Sequence, residues 1–280
     1  MTQTPNPLRQ FFRQPAIYLR LPSGGKFWPE KSLNLPPNME LPVLPMTAID
    51  EITYRTPDAL FNGQAVVSVI QSCVPNIVDA WATPAIDINA ILVAIRIASY
   101  GPELEIMSTC PKCAEPGDYN LDLRNVLDQI KSPDFAESIK YGDLEIFFKP
   151  MDYAEQHASN HEQWQEQRLI QMIPGSDLPD DEKITKLNEA LQKLTKLTVN
   201  ALKHSIACIK TPQAMVTEIE FIAEFLNNCD RKLFNAIRDR VINFRESTEF
   251  KPLKLTCHSC KHEYNQALTL DMASFFAPAS

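Results

Sequence analysis

Glycine is scarce in this chain, with seven residues among 280. The sequence contains neither G-x-G-x-x-G nor G-x-x-x-x-G-K-[ST], the two glycine-rich loops that bring backbone N–H groups close to a nucleotide phosphate. We therefore do not expect a dinucleotide-binding or P-loop enzyme. The local nucleophile motifs of hydrolases are missing as well, so no short pattern in the sequence indicates catalysis.

The chain also lacks long apolar runs and an excess of positive charge. Its longest apolar run, residues 88–98, is about half of what a helix needs to cross a bilayer. Residues 1–14 contain no apolar signal region, so we expect the protein to fold in the cytoplasm. A formal net charge of −8 argues against broad binding to nucleic acids or anionic membranes, since both depend on Lys and Arg that neutralise phosphates.

Cysteine occurs an odd number of times, seven, in a chain without a secretory signal. This combination argues against a disulfide framework and leaves metal ligation or buried thiols as the expected uses. Cys73, Cys208 and Cys229 lie in apolar helical patterns, and we predict that they are core residues.

Proline, by contrast, is abundant in the first 46 residues and interrupts any helical pattern there. Residues 1–46 are therefore predicted to form an extended arm with two short strands. Because proline cannot donate to a strand ladder, such an arm lies either along its own domain or along a neighbouring subunit; we favour the first. The prolines that break up the arm are Pro22, Pro29, Pro36, Pro37, Pro42 and Pro45.

Helical periodicity begins after the arm, and residues 47–103 are predicted to form a helical core. The segment 83–101 is apolar nearly all round and ends in Gly101 and Pro102, the usual order at a helix C-terminus. We expect this helix at the centre of the core.

Residues 124–250 are predicted to form an inserted, mainly helical lobe with a strand near 140–150. Thr217 and Glu220 have the spacing of a capping box, and Asp230 is a plausible N-cap for the next helix. The lobe should contain a helical hairpin whose second helix buries a stripe with a spacing near 3.5 residues. The stripe consists of Ile184, Leu187, Leu191, Leu194, Leu197, Ala201 and Leu202.

Two C-x-x-C pairs carry the most specific chemistry. Cys110 and Cys113 precede Cys257 and Cys260 by 143 intervening residues, and each pair is followed by Tyr-Asn and alternating apolar residues. Two thiolate pairs on turns between strands give the tetrahedral set of four sulfurs that selects Zn(II). The sequence therefore predicts a zinc ribbon built from residues 104–123 plus 251–280.

The long separation of the pairs is no obstacle to such a site. Extending a flexible loop to this length costs on the order of 2 kcal/mol, whereas structural zinc contributes about 10–16 kcal/mol in small peptides. Four thiolates close the metal shell, which favours a structural rather than a catalytic ion. His258 and His262 are alternative ligands, and reduced, metal-free cysteines are the other interpretation.

Two further charged or ligating patterns are assigned to the solvated surface. His157 and His161 lie four residues apart, but Gln165 replaces the second histidine of the H-E-x-x-H motif. The lysines between 183 and 203 match the outer face of an amphipathic helix rather than an anion-binding stripe.

Four motifs between residues 20 and 115 resemble one family. They are P-M-T-A-x-D-E (45–51), T-P-D-A-L-x-N-G (56–63), I-Q-S-C-V-P-N-I (70–77) and I-R-I-A-S-Y-G (95–101). Together they are similar to the T4-type bacteriophage baseplate hub subunit and baseplate hub assembly chaperone family, and the paired cysteine knuckles resemble those of longer members. The segment T-P-D-A-L-F-N-G-Q is a candidate interaction segment or, equally, a packing motif.

The resemblance implies a non-enzymatic protein of a contractile phage tail, either a hub assembly chaperone or a structural subunit of the baseplate. Its expected partners are other baseplate, hub or tube proteins, together with a possible second copy of itself. Assembly in the host cytoplasm and retention in the virion tail are the implied locations. No binding to nucleic acid or membrane is expected.

The predicted fold is α+β, predominantly helical, with a four-cysteine zinc-ribbon module and a proline-rich extended N-terminal arm. The alternative function is that of a zinc-ribbon nucleic-acid-binding regulatory protein. The knuckles offer that alternative only Lys112 and Lys261, beside the acidic Glu115, Asp118 and Glu263.

Overall fold

The computed structural model describes residues 6–56, 62–176 and 178–268, which form helices and small antiparallel sheets. This confirms the predicted mixed α+β class. The chain divides into two compact units: one comprises the described parts of 1–80, 87–131 and 249–280, and the other comprises 81–86 and 132–248. Across these described residues, no helix combines the length and apolar character that a membrane span requires.

The proline-rich arm contains a short 3-10 helix, Pro7–Phe11, and two strands, β1 Ile17–Leu19 and β2 Leu41–Val43. The strands pair antiparallel, and Pro42 is tolerated in β2 because this sheet has only two strands. Two short strands in the arm were predicted, and β1 and β2 confirm them.

Three described helices of the first unit contact this arm. They are α1 Ala48–Tyr54, α2 Gln64–Cys73 and α3 Ala85–Tyr100, whose first two residues belong to the second unit. Ile91, Val93 and Ile95 of α3 are fully buried, as predicted for the central helix, and Gly101 ends it with a φ of 87°. Most of T-P-D-A-L-F-N-G-Q, namely residues 57–61, lies outside the described residues.

Two β-hairpins complete the first unit. Strands β3 Glu103–Thr109 and β4 Pro116–Asp122 form one hairpin, and β9 Leu253–Thr256 and β10 Glu263–Gln266 form the other. A short helix, α4 Leu123–Gln129, follows β4, with Asp122 as its N-cap. Each C-x-x-C pair occupies the turn of one hairpin.

The second unit packs four helices with a four-stranded antiparallel sheet in the order β5-β6-β7-β8. The strands are β5 Ile139–Tyr141, β6 Leu144–Phe148, β7 Ile206–Lys210 and β8 Met215–Val216. The helices are α5 Tyr153–Met172, α6 Asp180–Ser205, α7 Ile219–Asn228 and α8 Arg231–Thr248. The buried core includes Ile146, Phe148, Leu202, Ile206, Ile209, Ile222, Leu226, Leu233 and Ile237.

Strands β7 and β8 were not predicted, since the lobe was expected to be mainly helical with a strand near 140–150. Helix α6 ends at Ser205 and the chain becomes extended at once, so that Ile206 and Ile209 are buried beside β6. Pairing with β6, which is distant in sequence, favours the strand conformation of these β-branched residues.

The predicted stripe of α6 is wrong at two positions. Ala190, Leu197 and Leu202 are buried, but Ile184 and Leu191 are 61% and 48% exposed. The spacing predicts that Ile184 and Leu191 are buried, but neighbouring elements do not cover them. Ala190, which is absent from the predicted stripe, is buried instead.

One of the two predicted helix caps is also wrong. Helix α7 begins at Ile219 with Glu218 as its N-cap and no side-chain cap bond, so Thr217 and Glu220 do not form a capping box. The Asp230 prediction is confirmed, because its carboxylate accepts the N–H groups of Lys232 and Leu233 at 2.8 and 3.0 Å.

Candidate metal centre

The two hairpin turns bring four cysteine sulfurs together. The Sγ atoms of Cys110, Cys113, Cys257 and Cys260 all lie within 4.8 Å of one another. Sγ of Cys110 is 3.7 Å from Sγ of Cys260, and Sγ of Cys113 is 3.6 Å from Sγ of Cys257. A tetrahedral zinc site with Zn–S bonds of about 2.3 Å has S···S edges of about 3.8 Å, so the spacing fits such an ion.

The two knuckles have the same backbone structure. In the first knuckle, the N–H of Cys110 donates to the carbonyl of Glu115, and the N–H of Ala114 donates to the carbonyl of Cys110. In the second knuckle, the N–H of Cys257 donates to the carbonyl of His262, and the N–H of Lys261 donates to the carbonyl of Cys257. The residue after each second cysteine, Ala114 or Lys261, adopts a φ of 59°. The two turns, whose six residues have only the cysteines in common, therefore fold alike.

Backbone N–H groups point toward the sulfurs of Cys110 and Cys257 and stabilise negative charge on these two. The N–H of Cys260, assisted by that of Ser259, lowers the pKa of Cys257 to about 6 against the opposing effect of burial. Burial acts to raise the pKa of Cys110, but the N–H groups of Cys113 and Lys112 outweigh it and the pKa is lowered. Cys110 and Cys257 are 1% and 3% exposed, which removes these thiols from solvent.

Polar and aromatic contacts behind the cysteines join the two hairpins. The rings of Tyr119 and His258 stack with their centroids 4.9 Å apart. The hydroxyl of Tyr264 lies 3.0 Å from Oγ of Ser108, which in turn donates to Oε1 of Gln266 at 2.7 Å. No sequence pattern predicts that Ser108 and Gln266 take part in these contacts. The Tyr-Asn that follows each cysteine pair is the one sequence feature that points to them.

The histidines considered as alternative ligands lie outside the sulfur cluster. His258 stacks on Tyr119, and Nε2 of His258 lies 3.3 Å from the carbonyl oxygen of Asp118. His262 stacks on Tyr264. In the part of the chain that the structure describes, the cysteine quartet is the single group with metal-ligand spacing, and neither histidine belongs to it.

The remaining cysteines and the histidine pair of α5 form no second metal group among residues 6–56, 62–176 and 178–268. Cys73 is fully buried, and its burial raises its pKa to about 12, whereas Cys208 and Cys229 are half-buried. His157 and His161 stack with their ring centroids 6.3 Å apart, and His157 also contacts an aromatic neighbour, Tyr153.

These features define a class: a mixed α+β protein in which two antiparallel hairpins cluster four cysteines in a ribbon. Residues 44–277 match the model of a family described as T4 bacteriophage base plate protein. The match covers most of the chain, and the protein therefore belongs to that family, as its N-terminal motifs predicted. Neither the curated proteins nor the solved structures provide a significant match.

Proposed function

We propose that the protein is a non-enzymatic component of phage tail baseplate formation, acting in assembly of the baseplate hub or as a structural subunit of the baseplate. The observation that carries this proposal is the family match over residues 44–277. The proposed partners are other baseplate, hub or tube proteins, met in the host cytoplasm during assembly.

We further propose that Cys110, Cys113, Cys257 and Cys260 bind one structural Zn(II). The support is the clustering of four sulfurs within 4.8 Å and the two S···S distances near the edge of a zinc tetrahedron. Four thiolates leave no open position for a substrate or an activated water, so the ion stabilises the ribbon rather than performing chemistry.

The nucleic-acid-binding alternative receives no support from the charges of the ribbon. Its strands and knuckles carry more acidic than basic side chains, whereas recognition of phosphates requires a basic surface. The basic residues are Lys112, Lys254 and Lys261; the acidic residues are Glu103, Glu105, Glu115, Asp118, Asp122 and Glu263.

Quantitative mass spectrometry of purified tails tests the functional proposal. A stoichiometric copy number relative to known baseplate proteins identifies a retained subunit. Absence from finished tails, combined with a defective baseplate when the gene is deleted, identifies an assembly factor. Normal, infective tails assembled without the protein contradict both versions.

Elemental analysis tests the metal proposal separately. The protein purified without added metal should contain about one zinc per chain. A Cys257→Ser/Cys260→Ser variant should lose the zinc, whereas the matched control Cys208→Ser/Cys229→Ser should retain it. A folded wild-type protein free of metal, or equal zinc in the two variants, would remove the proposed site.

A further inference from the structure

The second unit contains a cavity of about 360 Å³ that opens to solvent between helices α5, α6 and α8. This volume lies within the range of about 300–1,000 Å³ that is usual for ligand sites. It has room for one or two large apolar side chains. Residues 149–151, Ile86 and Phe135 complete its wall.

The floor of the cavity is apolar. Leu202 and Phe244 line it, and the Phe244 ring lies 4.5 Å from that of Phe135, centroid to centroid. The hydroxyls of Thr198 and Ser205 donate to carbonyls within their own helix, so they are already satisfied. The floor therefore suits a hydrocarbon group, whereas the α5 wall offers polar side chains to the rest of a ligand. These side chains are Gln156, Ser159, Asn160 and Gln163.

The charge of the lining has one sign. Lys149, Arg238 and Arg245 line the cavity, and none of the described residues that line it is acidic, although Arg238 also pairs with the neighbouring Asp239 at 2.8 Å. This is an uneven distribution in a chain whose net charge is −8. An anionic group that approaches the cavity meets favourable charge, whereas a cation does not.

The cationic and apolar groups that α8 contributes to the cavity lie along one face of that helix. Arg238, Ile242 and Arg245 have the i, i+4, i+7 spacing of one helix face, and Ile242 is 44% exposed. A ligand that contacts all three residues spans about 10 Å along α8. A peptide segment meets that requirement, because it can insert one apolar side chain and place carboxylates along the helix.

We propose that this α5–α6–α8 cavity binds an acidic segment of a partner protein, which inserts a leucine or phenylalanine side chain and places Asp or Glu carboxylates beside Arg238 and Arg245. The inference rests on the proposed function only in naming the partner as another tail protein. Charge complementarity and the apolar floor supply the binding chemistry.

Fluorescence anisotropy with the full-length protein tests this proposal. The probe is a short fluorescein-labelled helical peptide with leucines and glutamates on one face; matched peptides carry lysine for glutamate or alanine for leucine. We expect the acidic leucine peptide to bind at least about tenfold more tightly than either matched peptide, a difference of about 1.4 kcal/mol. Its affinity should fall as salt is added.

Variants identify the site on the protein. Val241→Trp fills the cavity and Ile242→Glu places a negative charge at its exposed rim, so both should weaken binding; Ile184→Trp, an exposed control position on α6, should not. Circular dichroism confirms that each variant is folded. The Ile242→Glu result decides the matter if Val241→Trp fails to fold.

Three results would overturn the proposal: no binding of the acidic leucine peptide, equal binding of the lysine peptide, or binding unaffected by Ile242→Glu. Tighter binding of decanoate than of any peptide would also overturn it, since the ligand would then be a small apolar acid. The assay uses neither tails nor zinc, so its failure is distinguishable from failure of the proposed function.

Discussion

The hydroxyl oxygens of Tyr119 and Tyr264 lie 3.3 Å apart, and each tyrosine comes from a different cysteine hairpin. Both are the Tyr of a Tyr-Asn pair that follows a C-x-x-C turn. Through Ser108 and Gln266 the contact extends into a short hydrogen-bonded chain between the hairpins. The ribbon is therefore joined at two levels, by the cysteine cluster and by this polar layer.

Tyr264→Phe should destabilise the ribbon by about 1 kcal/mol, because it removes the hydroxyl that contacts Ser108 and Tyr119 without changing the ring. Urea unfolding monitored at equilibrium measures the change. Tyr18→Phe is the matched control, since Tyr18 is 63% exposed on β1 and should show almost no effect. Equal stability of Tyr264→Phe and wild type would show that the polar layer contributes nothing.

Arg13 attaches the beginning of the arm to the helical core. Its guanidinium donates to the carbonyls of Pro45 and Ser72 at 2.6 and 2.7 Å and contacts the buried Asp50 carboxylate at 3.2 Å. Arg13→Ala should cost about 2 kcal/mol, because several charge-assisted hydrogen bonds are lost together. Faster proteolysis within the arm and a lower urea midpoint are the expected measurements.

Arg20→Ala is the control for that experiment. Arg20 pairs with Glu40 at 3.0 Å, but its side chain is 74% exposed, so the loss should stay below about 0.5 kcal/mol. Equal effects of the two substitutions would contradict the assigned role of Arg13.

Asp87 attaches the arm at a second point. Its fully buried carboxylate accepts the N–H of Ser23 at 2.8 Å, the Ser23 hydroxyl at 2.6 Å and the indole N–H of Trp28 at 2.8 Å. Asp87→Asn keeps the shape but supplies one acceptor in place of two, so we expect a loss of about 1–3 kcal/mol at neutral pH. Urea unfolding, with Trp28 fluorescence as a local probe, measures it.

The raised pKa of Asp87 also makes the stability of the protein depend on pH. Burial raises the pKa of Asp87 above its ordinary value of 3.8, and the bonds from Ser23 and Trp28 offset only part of that rise. Folding therefore takes up a proton between 3.8 and the raised pKa, and the resulting stability is lost as the pH rises through that window. The stability of wild type relative to Asp87→Asn should thus decrease with rising pH and then become constant. An increase with pH would contradict this sign.

Glu166 is buried within the helical hairpin, where it pairs with Lys193. Lys193→Ala should lower the free energy of unfolding by about 1–3 kcal/mol, because the buried Glu166 carboxylate loses its cation. The loss should be smaller than for a fully buried ion pair, since the Lys193 side chain is exposed. Calorimetric unfolding measures the change. Lys196→Ala is the surface control, and Glu166→Leu should recover stability in the Lys193→Ala background. Absence of that recovery would contradict an electrostatic origin.

The local features of this fold were predictable where the responsible interactions lie close in sequence. Asp230 and the N–H groups it accepts are two and three residues apart, and the C-x-x-C pairs form turns that their own backbone bonds define. The joining of the two pairs was also inferred, since thiolate pairs with the same flanking pattern favour a common metal.

The features that were missed depend on partners far along the chain. Ile206 becomes a strand residue because β6 lies beside it, and Ser108 bonds Gln266 at a separation of 158 positions. Periodicity identifies the apolar face of a helix, but it does not show how much of that face other elements cover. Leu191 of α6 belongs to the predicted stripe and is nevertheless exposed. The cavity beside α8 is formed by residues of three helices, so no local sequence pattern predicts it.

The 143 residues between the two cysteine pairs impose an order on synthesis. At about 5–20 residues per second, the Cys110–Cys113 turn is synthesised roughly 7–30 s before Cys257 and Cys260 are. For that interval the thiols of Cys110 and Cys113 have no partner pair. The four-cysteine cluster therefore requires translation through Cys260, and a chain that ends before Cys257 cannot form it.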